Sequence, residues 1–282
     1  MKRVFVLTGL VLSFVVLTFS GRAQSSWQRS AETELPPLEL FHSTQAINLP
    51  TAGRLGAGEF EFEISHRFIP TLDEGAKNLY GFDGPVNIRI ALGYAFSDDG
   101  IVTLGRSNVQ DNLDLNLKHT IFALRGNILP LHIAARAGVA ANTDVPGRDA
   151  WDGDNTQAYG QLILNTLVGE RFAFGLVPSY LYNSHLECAD TQYSFTMGVH
   201  AQYYITDVFS VLAEWNPTIT GWRSGHNPVS FGIELETGGH FFKVILSNSD
   251  LLNPTQFLAG APDAFNDGKL RIGFNITRVL TF

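Results

Sequence analysis

Cysteine, charge and long apolar runs are all scarce in this chain of 282 residues. A single Cys excludes a disulfide framework and any thiolate-rich metal centre. Charged residues, at 16%, are too few for a coiled coil or a solvated helical repeat, while 45% hydrophobic residues are too many for a disordered chain. Positive charge is in deficit. The formal net charge of −8 would repel a nucleic-acid backbone, so no nucleic-acid partner is expected. The eight His, at 42, 66, 119, 132, 185, 200, 226 and 240, form no i, i+2 or i, i+4 pair, which leaves no zinc or haem spacing. Gly53, Gly56 and Gly58 precede a strand pattern and do not open a helix, so they make no phosphate loop. Neither a metal nor a cofactor is expected.

One apolar run stands at the start of the chain. Met1-Lys2-Arg3, the stretch from Val4 to Phe19 and the small residues of Ser20-Gly21-Arg22-Ala23 read as a secretory signal over 1–23. Its removal would take away Lys2, Arg3 and Arg22, lowering Lys+Arg from 19 to 16 and the net charge from −8 to −11. Later apolar pieces such as Phe241 to Leu246 are short and interrupted, there by Lys243, so no spanning helix is expected. An exported chain this apolar is then either a soluble β protein or an outer-membrane barrel.

The chain is rich in alternation. Residues 24–56 hold no sustained period, and Pro36-Pro37 and Leu49-Pro50 break them; they read as a periplasmic lead-in or a plug. From 57 to 282 the period is two. Phe60, Phe62 and Ile64 alternate with Glu59, Glu61 and Glu63, and Ile88, Ile90, Leu92, Tyr94 and Phe96 alternate with Asn87, Arg89, Ala91, Gly93 and Ala95. Twelve strands are expected, near 58–68, 86–96, 101–107, 113–124, 131–141, 157–167, 172–182, 192–204, 209–216, 229–236, 241–247 and 269–282. Connections after even strands are short, whereas those after odd strands are mostly long and rich in Asp, Gly, Asn and Pro. A sandwich has no cause to sort its loops this way. An up-and-down transmembrane barrel with both termini periplasmic does. Aromatics near strand ends, among them Phe96, Phe172, Tyr182, Tyr193, Tyr203 and Trp215, suit two interfacial girdles. The last strand alternates through Leu270, Ile272, Phe274 and Ile276 and the chain stops on Phe282, which resembles the terminal signal read by the barrel-insertion machinery.

Residues 58–125 carry a closer likeness. His66-Arg67-Phe68, Gly81-Phe82-Asp83, the strand Ile88 to Tyr94, Gly105-Arg106-Ser107 and Leu117-Lys118 resemble an uncharacterised family of Gram-negative outer-membrane β-barrels classed as a domain of unknown function. Ile69 stands where that family usually carries Gly. The resemblance implies an all-β barrel and an outer-membrane location, and supplies no chemistry.

If the apolar face meets lipid, the alternate residues line the lumen. The candidate lining residues are Glu63, Arg89, Lys118, Arg136, His200, Glu214, Glu234 and Arg271. They would form either a structural network, with Glu63 paired to Arg89 and with Lys118 and Arg136 reaching carboxylates across the lumen, or a transverse field in a pore. Twelve strands ~4.8 Å apart and tilted ~40° give a backbone radius of about 12 Å, and inward side chains leave a gap of about 12 Å. Such a gap passes a small solute, or admits a plug. His119 is the outward-facing His in this reading, and Val102, Leu104, Arg106, Leu131, Ile133 and Ala135 around it include no nucleophile, so no hydrolase is expected. The same position is costly in lipid and suggests a bulge in its strand. Asp149, Asp152, Asp154 and Asn155 lack the spacing of a calcium loop. The expectation is an outer-membrane barrel that passes a small solute, with its lipid and the insertion machinery as partners. The alternative is a closed barrel with a structural, adhesive or docking role played by its long acidic loops.

Overall fold

The computed structural model describes residues 39–125 and 129–282. The expected signal at 1–23 and the first part of the lead-in lie outside the described residues. Twelve antiparallel strands close a barrel. They are β1 (Phe60–Phe68), β2 (Val86–Ser97), β3 (Gly100–Ser107), β4 (Asn112–Leu124), β5 (Leu131–Asn142), β6 (Thr156–Val168), β7 (Phe172–Tyr182), β8 (Tyr193–Tyr204), β9 (Phe209–Trp215), β10 (Val229–Glu236), β11 (His240–Ser247) and β12 (Arg271–Leu280). Each pairs with its neighbour in sequence. β12 returns to β1, with Phe60 opposite Leu280 and His66 opposite Phe274, so the sheet closes without a free edge.

Burial along each strand is inverted relative to a soluble protein. On β2, Ile90, Leu92, Tyr94 and Phe96 are exposed while Asn87, Arg89 and Ala91 are buried. The same holds around the barrel, with Leu104, Leu115, Phe174, Phe231, Ile233 and Val244 outside and Asn116, Gln161, Asn165, Gln202 and Ser230 inside. An exposed apolar band over a polar interior is stable only where the outer solvent is hydrocarbon. Among the described residues no helix is long and apolar enough to cross a membrane; the crossing is made by strands.

Two rims differ in kind. At the turn rim, β2 and β3 are joined through Asp98-Asp99 and β10 and β11 through Thr237-Gly238-Gly239, where Gly238 and Gly239 both take positive φ that a side chain would oppose. At the loop rim, 69–85, 143–155, 183–192, 216–228 and 248–270 are long. Phe172 opposite Tyr203 rings one end of the wall, and Tyr182 opposite Tyr193 the other. β4 carries a register shift between Thr120 and Phe122. That bulge follows directly after His119, where an outward imidazole called for one, and lies toward the turn rim.

Candidate functional site: a plugged lumen

The lumen is occupied by the chain itself. Residues 40–55 enter at the turn rim, descend to a tip at Ile47–Leu49 and return to it. At the entry, Leu40 and Phe41 pack on Ala173 of β7; at the exit, Leu55 packs on Ala95 and Ile101. Across the hairpin the backbone makes two bonds, Thr51 N to Thr44 O and Ala46 N to Leu49 O, each at 2.9 Å, and Thr51 Oγ1 donates to Ser43 O at 2.6 Å. The hairpin's apolar side chains fill inward patches of the wall. Ala46 and Ile47 meet Leu212 and Ile245, while Leu49 and Ala52 meet Ala134, Ile163 and Val177. Burying each Leu or Ile in this way contributes on the order of 1.5–3 kcal/mol.

A second segment comes from the loop rim. Asn253 caps a short helix, Pro254–Ala259, all six residues of which are buried. Pro254 sits at its first turn, where its fixed φ and missing N–H cost nothing. Asn253 Oδ1 accepts from Arg89 Nε at 2.8 Å, and Gln256 Nε2 donates to Val109 O at 2.8 Å. Phe257 reaches the hairpin tip and joins the Leu49 cluster. The two intruding segments thus meet on an apolar contact inside the barrel.

Polar wall groups grip the hairpin by its backbone. Glu214 Oε2 accepts from the N–H groups of Ile47 (3.3 Å), Asn48 (2.9 Å) and Leu49 (2.7 Å), and Glu214 Oε1 accepts from Asn48 Nδ2 at 2.9 Å. Lys118 Nζ donates to the carbonyls of Thr44 (3.3 Å), Thr51 (3.1 Å) and Gly53 (2.8 Å). Lys243 Nζ donates to Gln45 O at 2.5 Å, Asn275 Nδ2 to Ile47 O at 2.9 Å, and Tyr204 OH to Leu40 O at 2.9 Å. Asn165 Oδ1 accepts from Ala52 N at 2.6 Å. Both oxygens of Glu61 accept from Thr44 Oγ1, at 2.7 and 2.8 Å.

The sequence-derived candidates divide on this geometry. Glu63, Arg89, Lys118, Arg136, His200, Glu214, Glu234 and Arg271 are all buried. Glu63 and Arg89, on adjacent strands, form an ion pair, and Glu234 lies 3.3 Å from Lys243 of its neighbouring strand. Lys118 and Arg136 do not reach carboxylates across the lumen, contrary to expectation, because the hairpin stands between the walls. Lys118 spends its three donors on hairpin carbonyls, and Arg136 donates from Nε to Asn116 Oδ1 at 2.9 Å with its guanidinium 5.7 Å from the Tyr159 ring centre. His200 packs against Phe41 with ring centres 4.8 Å apart and planes tilted by 57°. Arg271 lies outside the constriction: it ties the intruding loop to the wall through Asp263 Oδ2 at 2.5 Å and Ile69 O at 2.9 Å. Phe282 is 95% exposed and touches only Phe60 among aromatic rings, with centres 5.7 Å apart.

Further lumenal groups were not singled out from sequence as site residues. Arg67 is fully buried and, among the described residues, has no carboxylate within ion-pair distance; it donates to Asn48 Oδ1 at 3.1 Å and Asn275 Oδ1 at 2.7 Å. Beside the hairpin, against β1 to β5, a small polar cavity of about 30 Å³ is lined by Thr44, Gln45, Pro50, Glu61, Glu63, Arg89, Asn116, Lys118 and Arg136. His66 also faces outward, stacked on Phe274 at 4.5 Å between ring centres. The Asp149 to Asn155 loop is closed by its own bonds, Asp154 N to Asp152 Oδ1 at 3.0 Å and Asn155 Nδ2 to Asp149 O at 2.9 Å.

Solved outer-membrane barrels align with the chain at low identity. An outer membrane channel from Pseudomonas putida F1 (the COG4313 channel) aligns with a TM-score of 0.49 at 13% identity, over 80% of this chain and 97% of that one. The NanC porin aligns at 0.47 and 7%, over 79% and 99%. The Acinetobacter baumannii outer membrane protein Omp33 aligns at 0.41 and 13%, over 79% and 98%. No curated protein matches the sequence. A family model described as a membrane bound beta barrel domain matches residues 41–280, which spans the hairpin and the whole wall. With the inverted burial and the closed sheet, this makes the protein an outer-membrane β-barrel, and the chain belongs to the family of membrane bound beta barrel domains of unknown function, DUF5777.

Proposed function

We propose that this barrel is a small-solute channel that is shut at rest, with no catalytic role, and that it opens when the 40–55 hairpin leaves its seat. One observation carries the reading. Among the described residues no ion pair spans the lumen: the wall-to-wall pairs join neighbouring strands, and what bridges the barrel is a chain segment held by side chains. A barrel closed by its own wall has no means of opening. One closed by a tethered hairpin does, and the polar wall behind it is what a wet pore needs.

A second reading, a permanently closed barrel that docks partners through its loops, draws on Ile163, Val177, Leu212 and Ile245. These inward residues are covered by the hairpin and would meet water if it left.

Conductance separates the two. Folded full-length protein in a planar bilayer should be silent or open rarely, and Leu49→Asp, which sets a charge against Phe257 and Ile163, should open it. Silence from folded Leu49→Asp protein would defeat the channel reading and leave docking.

A further inference from the structure

We propose that the solute class of this lumen is the short peptide with free termini, and that the hairpin occupies a peptide seat in place of it. The inference rests on the channel reading above and adds what is carried. Its ground is the way the wall holds the hairpin. Six wall side chains bind main-chain atoms: Glu214 and Asn165 accept from N–H groups, while Lys118, Lys243, Asn275 and Tyr204 donate to carbonyls. Contacts to the main chain do not depend on residue identity, so this part of the seat accepts peptides of varied sequence, while the wall patches that cover Ile47 and Leu49 favour apolar side chains.

Buried backbone must be satisfied by something, and neutral amides would suffice. Here the two principal anchors are charged. Glu214 takes three successive N–H groups, which form a concave anion receptor, and Lys118 takes three carbonyls. Neither has an oppositely charged side chain within ion-pair distance among the described residues. Glu214 is held by three backbone N–H groups and the Asn48 amide, and Lys118 by three carbonyls, all dipoles without a full charge, and a peptide's own charged termini would hold both better. Chain direction fits. The Glu214 contacts at 47–49 lie between Lys118 contacts at Thr44 on the entering limb and at Thr51 and Gly53 on the returning limb; a peptide parallel to the returning limb puts its ammonium at Glu214 and its carboxylate at Lys118. Leu49 to Thr51 spans three residues and Leu49 to Gly53 five, which sets the length at about four residues.

Tetra-alanine, its N-acetylated and amidated form, and maltose are the probes, with the folded full-length protein in detergent. The readout is the rate at which a water-soluble thiol reagent modifies Ala46→Cys in a Cys188→Ser chain, since Ala46 is covered while the hairpin is seated. Calorimetric titration of the same protein measures binding. Tetra-alanine at millimolar concentration should bind and raise the rate about tenfold or more, with the capped peptide at least about tenfold weaker. Lys118→Met should remove the preference for a free carboxylate, and Glu214→Gln the preference for a free amine. If either variant fails to fold, the comparison of free and capped peptide on the parent chain decides alone. Equal effects of the two peptides, an equal effect of maltose, or no binding by tetra-alanine would overturn the proposal. None of these outcomes depends on conductance. A barrel that conducts but ignores peptide refutes the solute class and keeps the channel; one that binds peptide but never conducts refutes the channel.

Discussion

Replacing Glu214 by Gln leaves the shape of the hairpin seat intact and removes only its charge. The glutamine carbonyl would stay at the position of Oε2, facing the N–H groups of Ile47, Asn48 and Leu49. Its amide nitrogen would take the place of Oε1, and Asn48 Nδ2 would turn to its other acceptor, Ser230 Oγ at 3.3 Å. A hydrogen bond to a charged acceptor exceeds a neutral one by about 1 kcal/mol, so three such bonds weaken the seat by about 3 kcal/mol. That is roughly a 150-fold shift in the ratio of seated to released hairpin. The labelling rate of Ala46→Cys in the Cys188→Ser chain is proportional to the released fraction when release is fast relative to labelling. Glu214→Gln should therefore speed labelling by about two orders of magnitude while leaving the heat-modifiable, folded barrel unchanged. A change of less than about fivefold in a folded variant would refute the view that Glu214 holds the hairpin.

Four other outcomes follow from the geometry. Arg89→Leu strands the Glu63 carboxylate in the lumen and should cost about 3–5 kcal/mol in a reversible urea titration, whereas Glu63→Leu with Arg89→Leu should cost less than the single change. Phe282→Ser should lower the amount of assembled barrel in the outer membrane yet shift the unfolding midpoint little, because this side chain is nearly all exposed. Asp149→Cys on intact cells should react with a membrane-impermeant dye in the Cys188→Ser background, and Asp98→Cys should not; the reverse pattern would invert the barrel. In the conducting Leu49→Asp background, Arg136→Glu should move ion selectivity toward cations, read from the reversal potential in a salt gradient.

The wall was legible in the sequence, and a plug in residues 24–56 was one of two readings, but the plug's conformation and its contacts were not legible. The strand positions follow from a period of two that the pleat enforces, and the apolar parity tells which face meets lipid, so β1 to β12 fall within one or two residues of the positions expected. Pairing between adjacent strands was legible for the same reason: Glu63 and Arg89 sit on consecutive strands at inward parity. The partners of Lys118 and Arg136 were not, since a contact across a lumen depends on what lies between. Nothing periodic marks residues 40–55, whose conformation rests on wall side chains together with a few turn bonds of their own. A signal was nevertheless present in the wall. Ile163 stands between Gln161 and Asn165 at inward parity, and Val177, Leu212 and Ile245 likewise face inward. Apolar residues at lumen positions cannot face open water without cost, so they announce a covering segment before one is seen.

The charges of the wall tie release of the hairpin to entry of water. Arg89, Lys243 and Arg271 each keep a carboxylate partner when the hairpin leaves. Lys118, Glu61 and Glu214 do not, because their hydrogen bonds run to residues 44–53. An unpaired charge in a dry cavity costs far more than the bonds that seat the hairpin could ever return. A released, dry lumen is therefore not an accessible state: either the hairpin is seated, or water has replaced it around all three groups. Opening in this barrel is then a two-state event in which unseating and wetting occur together, and current through a single molecule should switch in full steps and not drift through graded levels. Graded current from single molecules would mean that the hairpin peels from the wall contact by contact, with Lys118 released while Glu214 still holds.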